Sequence, residues 1–295
     1  TAGKESGGYT GYPFFNTPAS YITALKDVGF DLLVTANNHS LDRSEKGILK
    51  TISEINSRNL KYVGTYKSQR DRDSIRIFNL KGIKIAILAY SYGTNGNPIP
   101  KGKNYLINLI DFELIRRDIQ STKASGNELV LVHFHFGEEY QREPVQFQKE
   151  VVNKTIELGA DIIIGGHPHV LQPVNFFKTN NAKLDSGFVA YSMGNFFSNQ
   201  QDRYKDAGMI LTLKIKRDYL KNKFEISEVN YLPTWVFKGK TSIGNEYVIM
   251  PSINITDTTI NLSKSESLKM NQSFEDTRFI INKYSFNSNL RELRE

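Results

Sequence analysis

Short apolar runs alternate with segments of helical periodicity along the first two thirds of the chain. Apolar residues spaced three and four apart predict helices, and apolar runs of four to eight residues between turn residues predict strands. The predicted helices begin at the Thr17-Pro18 cap, at Ser44, near Leu106 and at Pro144. The predicted strands are 30–34, 60–63, 75–80, 83–90, 128–134, 161–164 and 188–192.

This alternation ends at about residue 195. Residues 207–215, 223–229 and 246–250 have the pattern of strands with few helices between them, and 263–284 predicts one last amphipathic helix. Alternating strands and helices are typical of α/β layers. We therefore expect an α/β domain over residues 1–240, with a β-rich C-terminal part, and a C-terminal extension over 241–295.

Composition adds little to this picture. The 295 residues are 39% hydrophobic and 23% charged, which is typical of a soluble globular protein. No apolar run approaches the ~18 residues of a membrane helix. The opening Thr1-Ala2-Gly3-Lys4 is not a signal peptide and reads as the interior of a longer protein.

The net charge of +7 favours an acidic partner, such as an anionic polymer, an anionic surface or nucleic acid. No dense block of Lys and Arg is interleaved with aromatic residues, so we do not expect nucleic acid. On charge alone, a solvated basic surface is the simplest explanation.

The histidines carry most of the chemical information. There are five, and none is isolated from the predicted strand ends: His39, His133, His135, His167 and His169. His39 follows one predicted strand, and His133 and His135 lie at the end of another. His167 and His169 follow a third strand, after Gly165-Gly166. The carboxyl ends of strands form the ligand-binding edge of α/β sheets. Imidazoles from three loops at one edge predict a metal or catalytic site.

Spacing supports the same prediction. Residues i and i+2 of a strand share a face, so His133 and His135 can point the same way. The two glycines before His167 permit a tight turn, and Pro168 stiffens the loop between two imidazoles. A single His-x-His in a strand is more often structural than a ligand, and only the coincidence of all five favours a site.

Five segments in order resemble the CapA (PgsA) family of poly-γ-glutamate capsule biosynthesis proteins. Residues 35–42 (TANNHSLD) resemble its ANNHxxD segment, and 135–140 (HFGEEY) its HWGxEY segment. Residues 161–173 (DIIIGGHPHVLQP) resemble DxVIGxHPHVxQP, 191–196 (YSMGNF) resemble YSLGNF, and 233–236 (PTWV) resemble PTYV. The family is similar to calcineurin-like metallophosphatases. The resemblance therefore implies a layered α/β/β/α sandwich with two divalent metal ions (Mn, Fe or Zn) at one edge.

The resemblance also implies metal ligands. Asn38, His135, His167 and His169 match ligands of the family's motifs. His133 has no counterpart there, and a structural role and support of a ligand both remain open for it.

The other site residues follow from the same motifs. His39 matches the catalytic histidine that protonates the leaving group or stabilises the transition state. Glu139, Tyr140 and Asn195 match further pocket residues, which we assign to substrate binding. The family's opening GD strand and NLE segment supply acidic metal ligands, and this sequence contains neither; before Asp27 its only acidic residue is Glu5.

The sequence thus predicts a CapA-like protein of poly-γ-glutamate capsule synthesis, transport or anchoring. Its partners would be poly-γ-glutamate or another anionic polymer and other membrane-bound capsule synthesis subunits. The family implies an extracytoplasmic location at the bacterial cell surface, behind an N-terminal membrane anchor. Two alternatives stay open: a metal-dependent phosphatase or phosphodiesterase, and a non-catalytic scaffold that binds polyanions.

Overall fold

The computed structural model describes residues 2–3, 8–252, 260–284 and 289–293. The chain divides into two compact units, Thr1–His135 and Phe136–Glu295. Both contain helices and strands, which confirms the predicted mixed α/β class. Glu5 and the polar residues 253–259 lie outside the described residues.

The first unit contains seven named strands and four α-helices within its described residues. The strands are β1 Ala2–Gly3, β2 Thr17–Pro18, β3 Leu32–Val34, β4 Lys61–Val63, β5 Arg76–Leu80, β6 Ile83–Ser91 and β7 Leu129–His135. The helices are α1 Ser20–Asp27, α2 Ser44–Asn56, α3 Gln69–Asp73 and α4 Phe112–Ala124, with a 3₁₀ turn at Asn104–Leu106.

Parallel pairing in this unit brings strand ends together. β3 pairs in parallel with β4. β5 and β6 form the predicted antiparallel hairpin, and β6 pairs in parallel with β7 so that Ser91 lies opposite His135. The loops that follow β6 and β7 therefore leave from the same edge of the sheet.

Helix α2 supplies the core of the first unit. Ile48, Ile52 and Ile55 recur at helical spacing and pack with Leu41 and Tyr62 in one buried cluster. Leu49, although apolar and next to Ile48, does not belong to this buried face, since it is 38% exposed.

Several predicted helix starts in this unit were wrong. The Thr17-Pro18 cap forms strand β2, and α1 begins at Ser20 without a capping side chain. Helix α2 does begin at Ser44 as predicted, but Ser44 has a φ of 55° and the capping position is Arg43, which has no side-chain cap. Helix α4 starts at Phe112 rather than near Leu106, because the carboxylate of Asp111 accepts a hydrogen bond from the Leu114 N–H at 2.7 Å.

The second unit combines two sheets with two helices. Its strands are β8 Ile162–Gly166, β9 Val174–Lys178, β10 Ser186–Ala190, β11 Ala207–Asp218, β12 Lys223–Thr241, β13 Gly244–Pro251 and β14 Leu290–Glu292. Its helices are α5 Gln146–Leu158 and α6 Lys264–Asn282. β8 and β10 are parallel neighbours, and the predicted last helix is confirmed as α6.

The β-rich part of this unit is built on β12. This strand pairs antiparallel with β11 and β13, and parallel with β14. Trp235 and Phe237 of β12 form a core with Met250, against which Met270 of α6 packs. Among the residues that the structure describes, no helix combines the length and the apolar character needed to cross a membrane.

Candidate functional site

The predicted site residues of the first unit lie after parallel strands. Asn38 and His39 are in the loop after β3, and His135 ends β7. Tyr92 follows β6, and its N–H donates to the His135 carbonyl at 2.9 Å. We call Asn38, His39, Asp42 and His135 the first-unit cluster.

Asn38 and His135 are in direct contact. The Asn38 Oδ1 lies 2.9 Å from His135 Nε2, and Asn38 is only 5% exposed. Two ligands at ~2.1 Å from one ion and at right angles to each other are ~3 Å apart. The separation of this oxygen and this nitrogen therefore fits neighbouring ligands of one divalent ion.

The loop 35–42 folds through its own side chains. The Asn37 Oδ1 accepts a hydrogen bond from the His39 N–H at 2.8 Å, as in an Asx turn. The Ser40 hydroxyl donates to the Thr35 carbonyl at 2.8 Å. These bonds satisfy the backbone locally, so that Asn38 and His39 are presented on a fixed turn.

Asp42 orients His39. Its Oδ2 lies 2.9 Å from His39 Nδ1 and accepts the Phe15 N–H at 2.8 Å, and its side chain is 1% exposed. A carboxylate on Nδ1 turns the other ring nitrogen, Nε2, away from it and stabilises the ring when both nitrogens are protonated. Asn95 Nδ2 lies 3.3 Å from that Nε2 and Asn95 Oδ1 accepts from Asn38 Nδ2 at 3.1 Å, so Asn95 connects the two residues.

His133 is not part of this arrangement. Its Nδ1 is inaccessible to solvent and has no hydrogen-bond partner among the described residues. Burial lowers the pKa of His133 to about 4, so the ring is neutral near pH 7. These features favour the structural alternative left open by the sequence.

The second unit holds a group with the composition of a metal site. One ligand atom each from Glu139, His167 and His169 lies within 4.8 Å of the others. The Glu139 Oε1 is 3.9 Å from His169 Nε2, somewhat wider than the ~3–3.4 Å between ligands that share one ion. Because the Glu139 side chain is 44% exposed, a small rotation closes this gap. The donor set fits a divalent ion such as Zn²⁺ or Mn²⁺.

The backbone at these two histidines is strained. His167 has a φ of 102° and His169 a φ of 59°. A conformation unfavourable for residues with a Cβ costs ~1–3 kcal/mol and is typical of functional sites. The sequence prediction that Gly165-Gly166 forms the turn was wrong, since both belong to β8. A Cβ on Gly165 would lie 2.0 Å from the Tyr191 carbonyl oxygen, so this glycine permits close backbone approach instead.

Tyr140 and Asn195 border the same group. The Tyr140 ring lies 6.1 Å from the His169 ring, and Lys205 Nζ stands 4.3 Å from the Tyr140 centroid. Burial, as the main cause, raises the pKa of Tyr140. Asn195 Oδ1 lies 3.0 Å from His169 Nδ1. We call Glu139, His167, His169 and Asn195 the second-unit cluster.

Sequence reasoning missed several participants. It assigned Glu139 to substrate binding, whereas the geometry groups this carboxylate with two potential imidazole ligands. Asp42 was visible as the last residue of the TANNHSLD segment, but its role depends on a contact with His39. Asn95 gave no signal, because it belongs to none of the motifs that resemble the family.

Comparison with known proteins agrees with the motifs. The model of the bacterial capsule synthesis protein family PGA_cap matches residues 1–200. The chain is 32% identical over 193 residues to the capsule biosynthesis protein CapA of Bacillus anthracis, covering 64% of this chain and 45% of the relative. It is 30% identical over 191 residues to the PGA biosynthesis protein CapA of Bacillus subtilis, covering 64% and 48%. The protein belongs to the PGA_cap family, and it spans about half the length of these curated relatives.

A solved structure shares the fold. The NAD nucleotidase NadN of Haemophilus influenzae matches with a TM-score of 0.50 over 94% of this chain and 50% of that chain, at 14% identity. At this identity the likeness is one of fold alone. It supports the metallophosphatase-like fold class expected from the sequence.

Proposed function

We propose that this protein acts in capsule assembly at the bacterial cell surface, through a divalent metal centre that includes the second-unit cluster. The carrying observation is the convergence of Glu139, His167 and His169 on strained loops in a member of a capsule synthesis family. We further propose that Asn38 and His135 of the first unit are ligands of a divalent ion.

A bound divalent ion would supply Lewis-acid polarisation of a phosphoryl or acyl oxygen. The residues of the chain then have separate tasks. His39, held at Nδ1 by Asp42, is the proposed general acid for the leaving group. Tyr140 stands beside His169 and would contact an anionic substrate there. These assignments favour transfer or hydrolysis at a phosphate or acyl group.

The charge distribution supports a polyanionic substrate or partner. Thr1–His135 contains 18 Lys and Arg against 12 Asp and Glu, a net +6, whereas Phe136–Glu295 contains 20 against 19, a net +1. Almost all of the excess positive charge thus belongs to the first unit. Poly-γ-glutamate carries one carboxylate per residue and would be attracted by such a field.

One cavity of the first unit offers a specific place to test this attraction. Its volume is about 670 Å³, and it is lined by Arg72, Arg116 and Arg117. Arg72 pairs with the buried Asp118, and Arg116 pairs with Glu113 at the surface. Among the described residues Arg117 has no ion-pair partner, so its charge is available to an anion.

Binding of poly-γ-glutamate tests the polymer part of the proposal. We expect the protein to retain poly-γ-glutamate but not neutral dextran, with affinity that falls as salt rises. Arg117→Ala should weaken retention more than Arg116→Ala, which removes a cation that already has a partner. Equal binding of both polymers, or no effect of salt, would exclude electrostatic recognition.

Metal titration and turnover test the chemical part. Calorimetry with Mn²⁺ and Zn²⁺ should show saturable binding, and the loaded protein should hydrolyse p-nitrophenyl phosphate or its diester. Metal binding without turnover on these substrates, combined with polymer binding, would favour the scaffold alternative. The His39–Asp42 contact is the observation that favours the phosphoesterase as second candidate over the scaffold.

The remaining partners follow from the family. The relatives are named for capsule or PGA biosynthesis. We propose that other membrane-bound capsule synthesis subunits are partners of this chain, and that the complete protein is anchored at the membrane. Co-purification of the full-length protein with membranes and with those subunits would test both points.

A further inference from the structure

We infer that Asn195 is a positioning residue that fixes the tautomer of His169. In this assignment the Asn195 side chain holds the proton on His169 Nδ1, so that Nε2 presents its lone pair to the group formed with Glu139 and His167. The inference rests on the proposed metal centre for its purpose, but the tautomer itself is a property of the metal-free protein.

The first step is the orientation of the Asn195 amide. Its Nδ2 lies 2.8 Å from the Lys205 backbone carbonyl oxygen and 3.1 Å from Gln200 Oε1. A backbone carbonyl can only accept a hydrogen bond, so the amide nitrogen must face Lys205. The Gln200 amide does not decide the matter, because it could flip and its other neighbour, the Tyr140 hydroxyl, both donates and accepts.

The second step follows from the first. With nitrogen toward Lys205, the oxygen of Asn195 faces His169 Nδ1 at 3.0 Å. An amide oxygen only accepts, so His169 Nδ1 must carry the proton. In a neutral imidazole the other nitrogen is then unprotonated. That nitrogen, Nε2, is the one that lies 3.9 Å from Glu139 Oε1.

The third step is that Asn195 cannot readily turn away. Its backbone N–H donates to the Ala207 carbonyl at 2.8 Å. Gly194 has a φ of 69°, and a Cβ on Gly208 would lie 2.7 Å from the Asn195 carbonyl oxygen. Two glycines thus let residues 194–195 lie directly against 207–208. The Asn195 amide, held in this way, can orient His169 as hydrogen-bond partners orient the metal-bound histidines of other proteins.

Nitrogen NMR on the metal-free protein labelled with ¹⁵N-histidine tests the assignment. In alkaline buffer, His169 should show a protonated Nδ1 and an unprotonated Nε2. Free neutral histidine favours the opposite, Nε2–H tautomer, which is therefore the result expected if Asn195 has no influence on His169. Because there are only five histidines, a His169→Gln variant identifies the signals.

Three variants sharpen the experiment. Asn195→Ala should shift His169 toward the Nε2–H tautomer and lower metal affinity ~10–100-fold. Asn195→Asp should keep the tautomer, because a carboxylate also accepts from Nδ1–H. Gln200→Ala should leave the tautomer unchanged, because the Lys205 carbonyl alone orients the amide.

The outcomes separate this inference from the proposed function. An Nε2–H tautomer in the wild type, or an unchanged tautomer in Asn195→Ala, would overturn the role of Asn195. The expected tautomers together with no binding of Mn²⁺ or Zn²⁺ by the wild type would instead overturn the metal centre and leave the positioning of His169 in place.

Discussion

The two clusters reach a similar set of donors by different means. In the first-unit cluster, the ligand candidates Asn38 and His135 already contact each other at 2.9 Å. Asn38 lies on a turn whose backbone groups are hydrogen-bonded by the turn's own side chains, and His135 ends strand β7. In the second-unit cluster, the imidazoles stand on strained backbone and the carboxylate of Glu139 is 3.9 Å from His169.

This difference predicts which cluster contributes more to metal affinity. Asn38 and His135 must give up their mutual hydrogen bond to take an ion, whereas Glu139 and His169 stand 3.9 Å apart and have no bond between them to lose. We therefore expect the second-unit cluster to dominate metal affinity and the first-unit cluster to contribute mainly to turnover. The predictions on His167, Glu139 and His39 test this contrast, and the one on His133 tests a buried histidine beside the first-unit cluster.

The largest effect should come from removing a second-unit ligand. His167→Ala should lower affinity for Mn²⁺ or Zn²⁺ by at least ~10²-fold. Loss of a residue that only hydrogen-bonds to a metal ligand lowers affinity by ~10–100-fold, so loss of a ligand itself should cost more. Calorimetric titration of His167→Ala beside His135→Ala measures the contrast, because His135→Ala should lose less affinity. A larger loss in His135→Ala would reverse the order of the clusters.

A matched carboxylate pair refines this measurement. Glu139→Gln should weaken metal binding, whereas Glu138→Gln should not, because Glu138 is exposed beside the cluster without joining it. Equal effects would mean that general negative charge, and not coordination, attracts the ion.

Removal of His39 should reduce turnover by ~10²-fold if it is the general acid. Metal content should stay unchanged, because His39 is held by Asp42 and is not one of the proposed ligands. Asp42→Asn should reduce turnover in the same direction, since an amide does not stabilise the doubly protonated ring. Elemental analysis beside kinetics decides the question, and lost metal in His39→Ala would contradict the role.

The buried His133 should make the stability of the first unit depend on pH. Its folded pKa of about 4 lies below the ordinary value of ~6.5, so between these values the unfolded chain binds more protons. Stability should therefore be complete above pH ~6.5 and fall toward pH ~4, by roughly 2–3 kcal/mol from this residue.

Urea unfolding across that pH range checks the sign. The variant His133→Phe should show a flatter dependence than the wild type, because it has no proton to gain on unfolding. Parallel curves for the two proteins would mean that His133 is accessible to protons in the folded state.

The smallest effect concerns backbone strain. His167→Gly and His167→Ala both remove the imidazole, but only glycine accepts a φ of 102° without strain. The glycine variant should be more stable than the alanine variant by ~1–2 kcal/mol, measured by chemical unfolding of the metal-free proteins. A more stable alanine variant would show that the loop relaxes once the histidine is gone.

Motifs in the sequence determined the family, the mixed α/β class and the residues to examine. These features are local. Apolar periodicity predicts helices and strands, and a run such as GGHPHV can be recognised because its residues are neighbours in the chain. Even so, helix starts were misplaced, since capping at Asp111 and the extended Thr17–Pro18 depend on hydrogen bonds that apolar spacing does not reveal.

Tertiary structure alone decided which residues act together. His39 and Asp42 are close in sequence, but only the fold brings Asn95 to both His39 and Asn38. The strain at His167 is likewise invisible in the sequence, because its φ of 102° is a property of the folded backbone.

The tautomer of His169 shows the physical reason most clearly. The tautomer depends on the backbone carbonyl oxygen of Lys205. Every residue has such a carbonyl, and this one has a role only because the fold places it next to the Asn195 amide. Backbone groups carry no sequence signal, so any role they play in a site is settled by geometry.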